Sequence, residues 1–326
     1  MILKLLKWFC RQNNRKLIIL INLSGLLSAC EQEIEIPLPR QQAKYVINCL
    51  FQPFTLPYPQ NTTVSIKRSV GFLDSLDFPV LKDATVELYF EDSLVLNLNY
   101  NDSTQDYENS QITNFRPGNY RLKVEHNGEL IVADDILPEK VNLNKISILP
   151  FAGRNESGNA FAKVNFNFND PVNETNYYEI SITYSSLTDP FALFTDFSGI
   201  ISETYYPTVL SFAQEDPLCL PFSDKSFNGK EVSIPVYYTH PSEALNDIVE
   251  PHAITIHFKT ISENYYNYKV SLLKQGYDSQ YDIIYGQVEA MNVFTNISQN
   301  YGIFAGYQSV DHTFIIFNND LIDNEF

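Results

Sequence analysis

Apolar and polar residues alternate along most of the chain beyond residue 44, which is the pattern of half-buried β-strands. The alternation is clear in Val64-Ser65-Ile66-Lys67 and in Tyr120-Arg121-Leu122-Lys123-Val124. Asn127-Gly128 separates two such segments and is a strong hairpin signal. The strands predicted in this half are Tyr45–Phe51, Thr63–Ser69, Thr85–Phe90, Leu94–Tyr100, Tyr120–His126 and Glu129–Asp134. Short strands with regular turns predict a sandwich of immunoglobulin or transthyretin type over residues 45–140.

The second half of the chain, residues 141–326, is predicted to be another β-rich domain. Phe161–Asn169, Tyr178–Tyr184 and Ala253–Lys259 repeat the alternation. A junction is predicted between residues 138 and 157, which include a strand-like run, two prolines and a polar stretch. The predicted fold class is therefore mainly β, with two domains.

One segment of the second half has the period of a helix instead. Ser262 can cap a helix that runs from residue 263 to residue 275, and Gly276 is its predicted stop. Tyr266, Val270 and Leu273 fall at i, i+4 and i+7, so they form one apolar face. This face predicts a helix that packs on a sheet.

The first 29 residues have the charge order of a bacterial signal peptide. A basic region precedes a short apolar run over residues 17–21, and no acid occurs before Glu31. Leu27-Ser28-Ala29-Cys30 then matches the lipobox of a lipoprotein precursor. We expect cleavage after Ala29 and a diacylglycerol lipid on Cys30, which anchors the protein to a membrane. An uncut membrane-anchoring helix is the alternative, but the apolar run is shorter than the about 20 residues that span a bilayer.

Residues 30–44 are predicted to be a tether or a first edge strand. Ile34, Ile36 and Leu38 alternate with polar residues and prolines. The fourteen residues that follow Cys30 span at most about 50 Å when stretched. The folded body is therefore expected to stay close to the membrane.

The charge of the chain excludes one class of partner. The full chain carries 22 basic and 39 acidic residues, a net charge of −17. Removal of the leader removes five basic residues and no acid, so the mature net charge falls to −22. Such a surface repels nucleic acid and attracts cations or basic partners, although acidity also simply keeps an envelope protein dispersed.

Two cysteines remain for the folded body, Cys49 and Cys219. In an oxidising compartment the two can pair. Cys49 also lies in the apolar segment Tyr45–Phe51, where it can act as a small core residue. The sequence leaves both alternatives open.

No pattern in the chain predicts a catalytic, cofactor or metal site. His252 and His257 lack the spacing of a zinc protease helix, and a Gly-x-Ser-x-Gly elbow is absent. With 39 acids, pairs of carboxylates at the spacing of a glycosidase arise by chance. A non-enzyme without a cofactor is expected, and a hydrolase whose site is assembled from distant residues is the alternative.

One aromatic cluster lies in a segment that has no clear hydrophobic period. Phe191, Phe194 and Phe197 follow Pro190 in a segment that predicts neither strand nor helix. They are candidates for an apolar patch that contacts a partner. The competing interpretation is ordinary packing of a buried loop.

Several segments in order resemble a family of bacterial envelope lipoproteins, domain of unknown function 4249. The segments of the first half are Cys30–Ile34, Val64–Phe72 with Phe78-Pro79, Ala84–Leu88 and Pro117–Leu122. Those of the second half are Ile261–Tyr268, Val293–Ile297 and Gly302–Tyr307. The resemblance covers essentially the whole mature chain.

The resemblance implies a cellular location but no established activity. Members look like outer-membrane lipoproteins of Gram-negative bacteria, often found beside TonB-dependent transporters. Glu31, Glu33 and Glu35 resemble the acidic export signal of surface-exposed lipoproteins, although the periplasmic face is an alternative orientation. The first hypothesis is a surface lipoprotein that acts as a binding or accessory module with such a transporter in uptake. An envelope hydrolase and a structural or adhesive surface protein are the alternatives.

Overall fold

A computed structural model describes residues 42–53, 62–71, 79–109, 115–154, 158–172, 174–184, 190–191, 193–194, 218–240, 250–285 and 292–326, with the backbone alone over residues 276–285. The predicted signal peptide, the lipobox cysteine Cys30 and nearly all of the tether lie outside the described residues. Residues Ala43–Phe326 form one compact unit.

Sixteen strands and one helix are described, so the chain is mainly β. The strands of the first half are β1 (Tyr45–Phe51), β2 (Thr63–Arg68), β3 (Thr85–Phe90), β4 (Ser93–Asn101), β5 (Asp106–Glu108), β6 (Gly118–His126) and β7 (Glu129–Leu137). Those of the second half are β8 (Leu143–Arg154), β9 (Ala160–Asn169), β10 (Tyr177–Tyr184), β11 (Leu193–Phe194), β12 (Leu220–Ser223), β13 (Glu231–Thr239), β14 (His252–Ile261), β15 (Tyr301–Ile316) and β16 (Ile322–Glu325). The helix α1 spans Glu263–Tyr285.

The strands form where the alternation predicts them, because each buries every second side chain. Burial alternates along the whole of β9, for example, and β1 does the same. The hairpin between β6 and β7 is also confirmed: His126 pairs with Glu129, and Asn127 and Gly128 both have positive φ. That backbone is the primed turn that Asn-Gly favours.

The strands belong to two sheets. The larger has eleven strands in the order β12-β10-β14-β15-β1-β2-β5-β4-β3-β6-β7, and the smaller has five in the order β11-β13-β9-β8-β16. The small sheet and strands β10, β12, β14 and β15 face each other across one large apolar core. The second half is therefore a two-layer β structure.

The strands of the first half, all part of the eleven-stranded sheet, enclose a separate core. Buried side chains of β1 to β7 form one cluster, which Phe304 of β15 joins. The far edge strand β7 returns to β15, where the Gly306 N–H donates to Asp135 at 2.7 Å. These strands wrap a core as a sandwich does, while the immunoglobulin or transthyretin topology stays a prediction.

Strand β15 links the two cores. Its first part pairs with β1 in parallel, and its second part pairs with β14 in antiparallel register. A Cβ on Gly302 would lie 2.0 Å from the carbonyl oxygen of Ile47, and its φ is +103°. Glycine is required there because the backbones of β15 and β1 approach so closely. Strand β15 contributes side chains to both cores. The division into two domains between residues 140 and 141 stays a prediction.

The end of the helix was predicted wrongly. Ser262 caps α1 as expected, with its Oγ accepting from the Tyr265 N–H at 3.1 Å. The helix continues through Gly276 to Tyr285 instead of stopping at Gln275. A glycine inside a helix costs only about 1 kcal/mol, so it ends a helix only where the chain also turns. Among the described residues, no helix is both long and apolar enough to cross a bilayer.

Candidate functional site

A cleft with a volume of about 1150 Å³ lies where the β6–β7 hairpin meets the start of β10 and the start of α1. Five separate segments of the chain line it. They carry seven carboxyl groups, those of Glu91, Asp92, Asp134, Asp135, Glu139, Glu174 and Glu263. Arg121 is the one basic residue among the described residues of the lining. The lining therefore has a formal charge of −6 when every carboxyl group is ionised.

A two-residue turn brings the first pair of acids to the cleft. Phe90 pairs with Ser93, so Glu91 and Asp92 form the loop between β3 and β4, with φ values of 44° and 65°. Glu91 Oε1 accepts from the backbone N–H and the side-chain amide of Asn119, at 3.1 and 3.0 Å. These bonds hold the turn against the start of β6.

Arg121 neutralises two of the seven carboxylates. Its Nε donates to Asp134 at 2.6 Å, and its Nη1 lies 3.2 Å from Asp92. The hydrogen bond to Asp134 raises the pKa of Arg121. The side chains are exposed, so this bridge orients the cleft wall more than it stabilises the fold.

Asp135 is a buried junction between three elements. The residue is 5% exposed, and its oxygens accept from the Gly306 N–H at 2.7 Å and from Asn264 Nδ2 at 2.8 Å. Burial raises its pKa to about 6, although hydrogen bonds from Ser262, Gly306 and Asn264 act in the opposite direction. Asp135 thus joins β7, β15 and the first turn of α1 beneath the cleft.

Tyr177 and Glu263 form the wall on the helix side. Tyr177 stacks on Tyr266, with ring centroids 4.8 Å apart. Burial, followed by the charge of Glu263 and a hydrogen bond to it, raises the pKa of Tyr177 to about 12. Tyr177 is therefore neutral at physiological pH. Its hydrogen bond to Glu263 does not neutralise that carboxylate, so the negative charge of Glu263 remains in the cleft.

Asn176 lines the cleft beside Tyr177 and is 8% exposed. Its backbone N–H donates to Asp224 Oδ2 at 2.8 Å, and its carbonyl accepts from the Asp224 N–H at 3.0 Å. The side-chain oxygen Oδ1 is buried and has no hydrogen-bond partner within the described part of the chain. Such an unmet acceptor costs about 1–3 kcal/mol, so it is a marked feature of a native site.

A second charged cluster lies under α1. Glu179 is 1% exposed and contacts Lys259 at 2.6 Å and Lys269 at 3.3 Å. Burial raises the pKa of Glu179, but the two ammonium charges outweigh it and hold the pKa at about 2. Burial also raises the pKa of the neighbouring Cys219 thiol to about 12, which keeps it protonated and unreactive. This cluster joins the helix to the sheet and offers no nucleophile.

The histidines and cysteines do not form a metal centre in the described ranges. No group of three His, Cys, Asp or Glu side chains there is arranged to hold a metal ion. The ring centroids of His240 and His252 lie 5.0 Å apart, and burial lowers the pKa of both imidazoles. Cys49 and Cys219 are both free, so they do not pair with each other.

Two of the three aromatic candidates, Phe191 and Phe194, pack on other aromatic residues of the protein, and Phe194 lies in the short strand β11. Phe191 is 6% exposed and packs on Tyr184 and Tyr238. Phe194 is half-buried and stacks on Tyr237 with a centroid distance of 5.1 Å. Phe197 lies outside the described residues, so the partner patch as a whole stays a prediction. The lipidation site Cys30 stays a prediction for the same reason.

The acidic cleft was missed at the level of sequence. Its acids come from segments as far apart as Glu91 and Glu263, and each looks like an ordinary solvated charge in its own segment. The adjacent acids at Glu91-Asp92 and Asp134-Asp135 were a weak local signal. Only the pairing of β6 with β3 and β7 brings those two pairs together.

A comparison with family models supports the resemblance noted in the sequence. The model described as Domain of unknown function (DUF4249) matches residues 31–313. Searches of the curated proteins and of the solved structures return no significant match.

Proposed function

The chain belongs to the DUF4249 family, and we propose that it is a lipid-anchored binding module on the outer membrane, accessory to a TonB-dependent transporter in uptake. The acidic cleft carries this proposal, because it is a large concavity lined by many charged groups, and no described group of His, Cys, Asp or Glu side chains is arranged to hold a metal ion.

The lipobox and the tether support the location. Cys30 is expected to carry the lipid, and the tether reaches at most about 50 Å. A tether of that length keeps the folded body near the bilayer, where it can meet a partner embedded in it.

A hydrolase is the second candidate, because Asp135 has the raised pKa of a general acid. Its hydrogen bonds argue against that role. Both of its oxygens accept from protein donors, and the residue is only 5% exposed, so a substrate has little access to its carboxyl group. Asp134, the adjacent carboxylate, is engaged by Arg121.

The test compares three forms of the full-length protein in cells: the wild type, a cleft variant and a surface variant. The cleft variant carries Glu139→Gln, Glu174→Gln and Glu263→Gln. The surface variant removes the same number of charges from exposed positions outside the cleft, Glu125→Gln, Glu231→Gln and Glu250→Gln. After crosslinking of intact cells, we expect an outer-membrane transporter to co-purify with the wild type and the surface variant, and less of it with the cleft variant. Recovery of the wild type without any outer-membrane protein would refute the proposal.

A further inference from the structure

We propose that Thr183, His257 and Asp311 form a nucleophilic site on the large sheet that cleaves small carboxylic esters. The three residues come from the adjacent strands β10, β14 and β15. His257 Nδ1 lies 2.7 Å from Asp311 Oδ1, and His257 Nε2 lies 3.0 Å from Thr183 Oγ1. A hydroxyl, an imidazole and a carboxylate in this order have the arrangement of a catalytic triad. The inference goes beyond the proposed function, because none of the three residues lines the acidic cleft.

The register of the sheet brings these side chains to one face. His257 pairs directly with Asp311 on one side and with Ser181 on the other. Thr183 lies two positions beyond Ser181, and residues two apart in a strand share a face. The opposite face, which includes Ile256, packs into the core between the two sheets. The triad therefore lies on the side of the sheet that faces away from this core.

The hydrogen bonds fix the direction in which a proton can move. A carboxylate only accepts hydrogen bonds, so the proton between Asp311 and His257 belongs to His257 Nδ1. In the neutral imidazole Nε2 is then an acceptor, and the Thr183 hydroxyl donates to it. His257 is thereby placed to remove the proton from Thr183 Oγ1 when that oxygen attacks a carbonyl carbon.

The surroundings of Asp311 hold it in its ionised form. Burial raises the pKa of Asp311, but hydrogen bonds from His257 at 2.7 Å and from Ser309 at 2.6 Å outweigh burial and lower the pKa below its ordinary value. The charge of Lys259 acts in the same direction. An ionised carboxylate stabilises the imidazolium that forms when His257 accepts a proton.

The three side chains can be reached from solvent. The side chain of His257 is 24% exposed and that of Asp311 is 39% exposed. Thr183 is half-buried. The ion cluster further along the same face is different, because the Glu179 side chain is only 1% exposed. Access of this kind is what a substrate requires of a nucleophile and its base.

A further hydroxyl donor lies beside the nucleophile. Thr255 is directly opposite Thr183 in the sheet, and Thr255 Oγ1 lies 3.0 Å from Thr313 Oγ1. One of these two hydroxyls donates to the other, so the accepting hydroxyl keeps its own hydrogen. That O–H group can donate to the carbonyl oxygen that becomes negative during attack.

These neighbours define the substrate class. The side chains of Thr255 and Thr313 are short, so they leave room above the sheet for a small acyl group such as acetyl. A single hydroxyl is a modest donor to a developing oxyanion. The site therefore favours an ester, whose alcohol leaves readily, over an amide.

The reaction has two stages. In the first, Thr183 Oγ1 bonds to the ester carbonyl carbon and its proton passes to His257 Nε2. The bond from that carbon to the alcohol oxygen then breaks, and the alcohol leaves with the proton from His257. In the second, water attacks the acyl-threonine and gives a proton to His257. Thr183 leaves with that proton, which releases a carboxylic acid and restores the site.

The first experiment labels the nucleophile in the full-length lipidated protein in neutral detergent. A fluorophosphonate probe forms a bond between its phosphorus and Thr183 Oγ1, fluoride leaves, and the hydroxyl proton passes to His257. Peptide mapping by mass spectrometry should find the label on residue 183 in the wild type and in Thr183→Ser, which keeps the hydroxyl. We expect Asp311→Asn and His257→Gln to slow this labelling at least about tenfold. An unlabelled Thr183 in the wild type would overturn the inference.

The second experiment measures the hydrolysis of p-nitrophenyl acetate. We expect Thr183→Val and His257→Gln to lower the rate at least about tenfold. Thr85→Val, at an exposed strand position, and His312→Gln, on the other side of β15, are the matched controls and should keep the wild-type rate. Thermal unfolding checks that each variant is folded, and the exposed Asp311→Asn provides a second test if a variant of a more buried residue unfolds. A wild-type rate in folded Thr183→Val or Asp311→Asn would show that the hydrolysis does not use this site.

Discussion

At the scale of single residues, Gly302 and Asp135 contribute most clearly to the architecture. Gly302 allows the backbone of β15 to approach that of β1, and Asp135 receives donors from β15 and α1. Both contacts join parts of the chain that are more than 100 residues apart. Gly302 belongs to a segment that carries the family resemblance, and its role explains why a side chain is not tolerated there.

Replacement of Gly302 by alanine should lower the free energy of unfolding by more than about 3 kcal/mol, because a Cβ would overlap the Ile47 carbonyl. Denaturant titration followed by circular dichroism measures the change. Gly128→Ala is the matched control, since Gly128 also has positive φ but a Cβ there meets nothing within 4 Å. We expect the control to cost only about 1 kcal/mol. Equal costs for both variants would contradict the close-approach argument.

Asp135 predicts a specific pH dependence. Burial raises its pKa to about 6 in the fold, from 3.8, so the folded state holds the proton more tightly than the unfolded state. The stability that Asp135 contributes is therefore greatest at low pH and is lost as the pH rises through 6. We expect the cost of Asp135→Asn to be about 1 kcal/mol larger at pH 5 than at pH 7.5. A stability cost that is the same at both pH values, or larger at pH 7.5, would contradict this prediction.

At the scale of elements, the helix is attached to the large sheet by a buried ion cluster. Lys269 of α1 contacts Glu179 of β10, which also pairs with Lys259 of β14. A buried carboxylate with two ammonium groups is stable only while its partners remain, because an uncompensated buried charge is costly. The cluster therefore couples helix docking to the charge of Glu179.

Lys269→Met should loosen α1 while the sheet stays folded. Hydrogen exchange of the amides over residues 263–275 is expected to accelerate, with little change in β10, which β12 and β14 still flank. Lys274→Met is the control, because it removes the same charge from the same helix without a contact to Glu179. Equal acceleration of hydrogen exchange in both variants would show that the charge of the helix, and not the contact between Lys269 and Glu179, holds the helix in place.

The elements also differ in how far the sequence could predict them. Most strand bounds follow from the period-2 alternation, and Asn127-Gly128 follows from local turn chemistry. The end of α1 could not be predicted, because Gly276 resembles a stop only when the chain turns there. Pro150 lies inside β8 although it was part of a predicted junction, and a register shift between Leu149 and Gly153 accommodates it.

At the scale of the whole molecule, the predictions concern the location of the protein in the cell. Cys30→Ser should abolish attachment of the acyl chains, so less of the protein should be found in the membrane fraction and its mass should lack the diacylglycerol. Fractionation and intact-mass measurement of the native product test this. A native product that begins at Met1 or lacks a lipid would contradict the lipoprotein prediction.

Orientation is a separate prediction at the same scale. The acidic segment after Cys30 predicts that the body faces the cell exterior, so a protease added to intact cells should digest it. A periplasmic protein in the same cells serves as the control for membrane integrity. Complete protection of the body would indicate the periplasmic face.

The sequence by itself determined the β content, the positions of most strands, the Asn-Gly hairpin and the start of the helix. These features depend on neighbours within a few positions along the chain, so a periodic pattern or a capping residue is enough to specify them. The tertiary structure alone decided that β1 pairs with β15 across some 250 residues and that acids from four segments share one cleft. Such contacts depend on the packing of segments that are far apart in the sequence, and no local pattern carries that information.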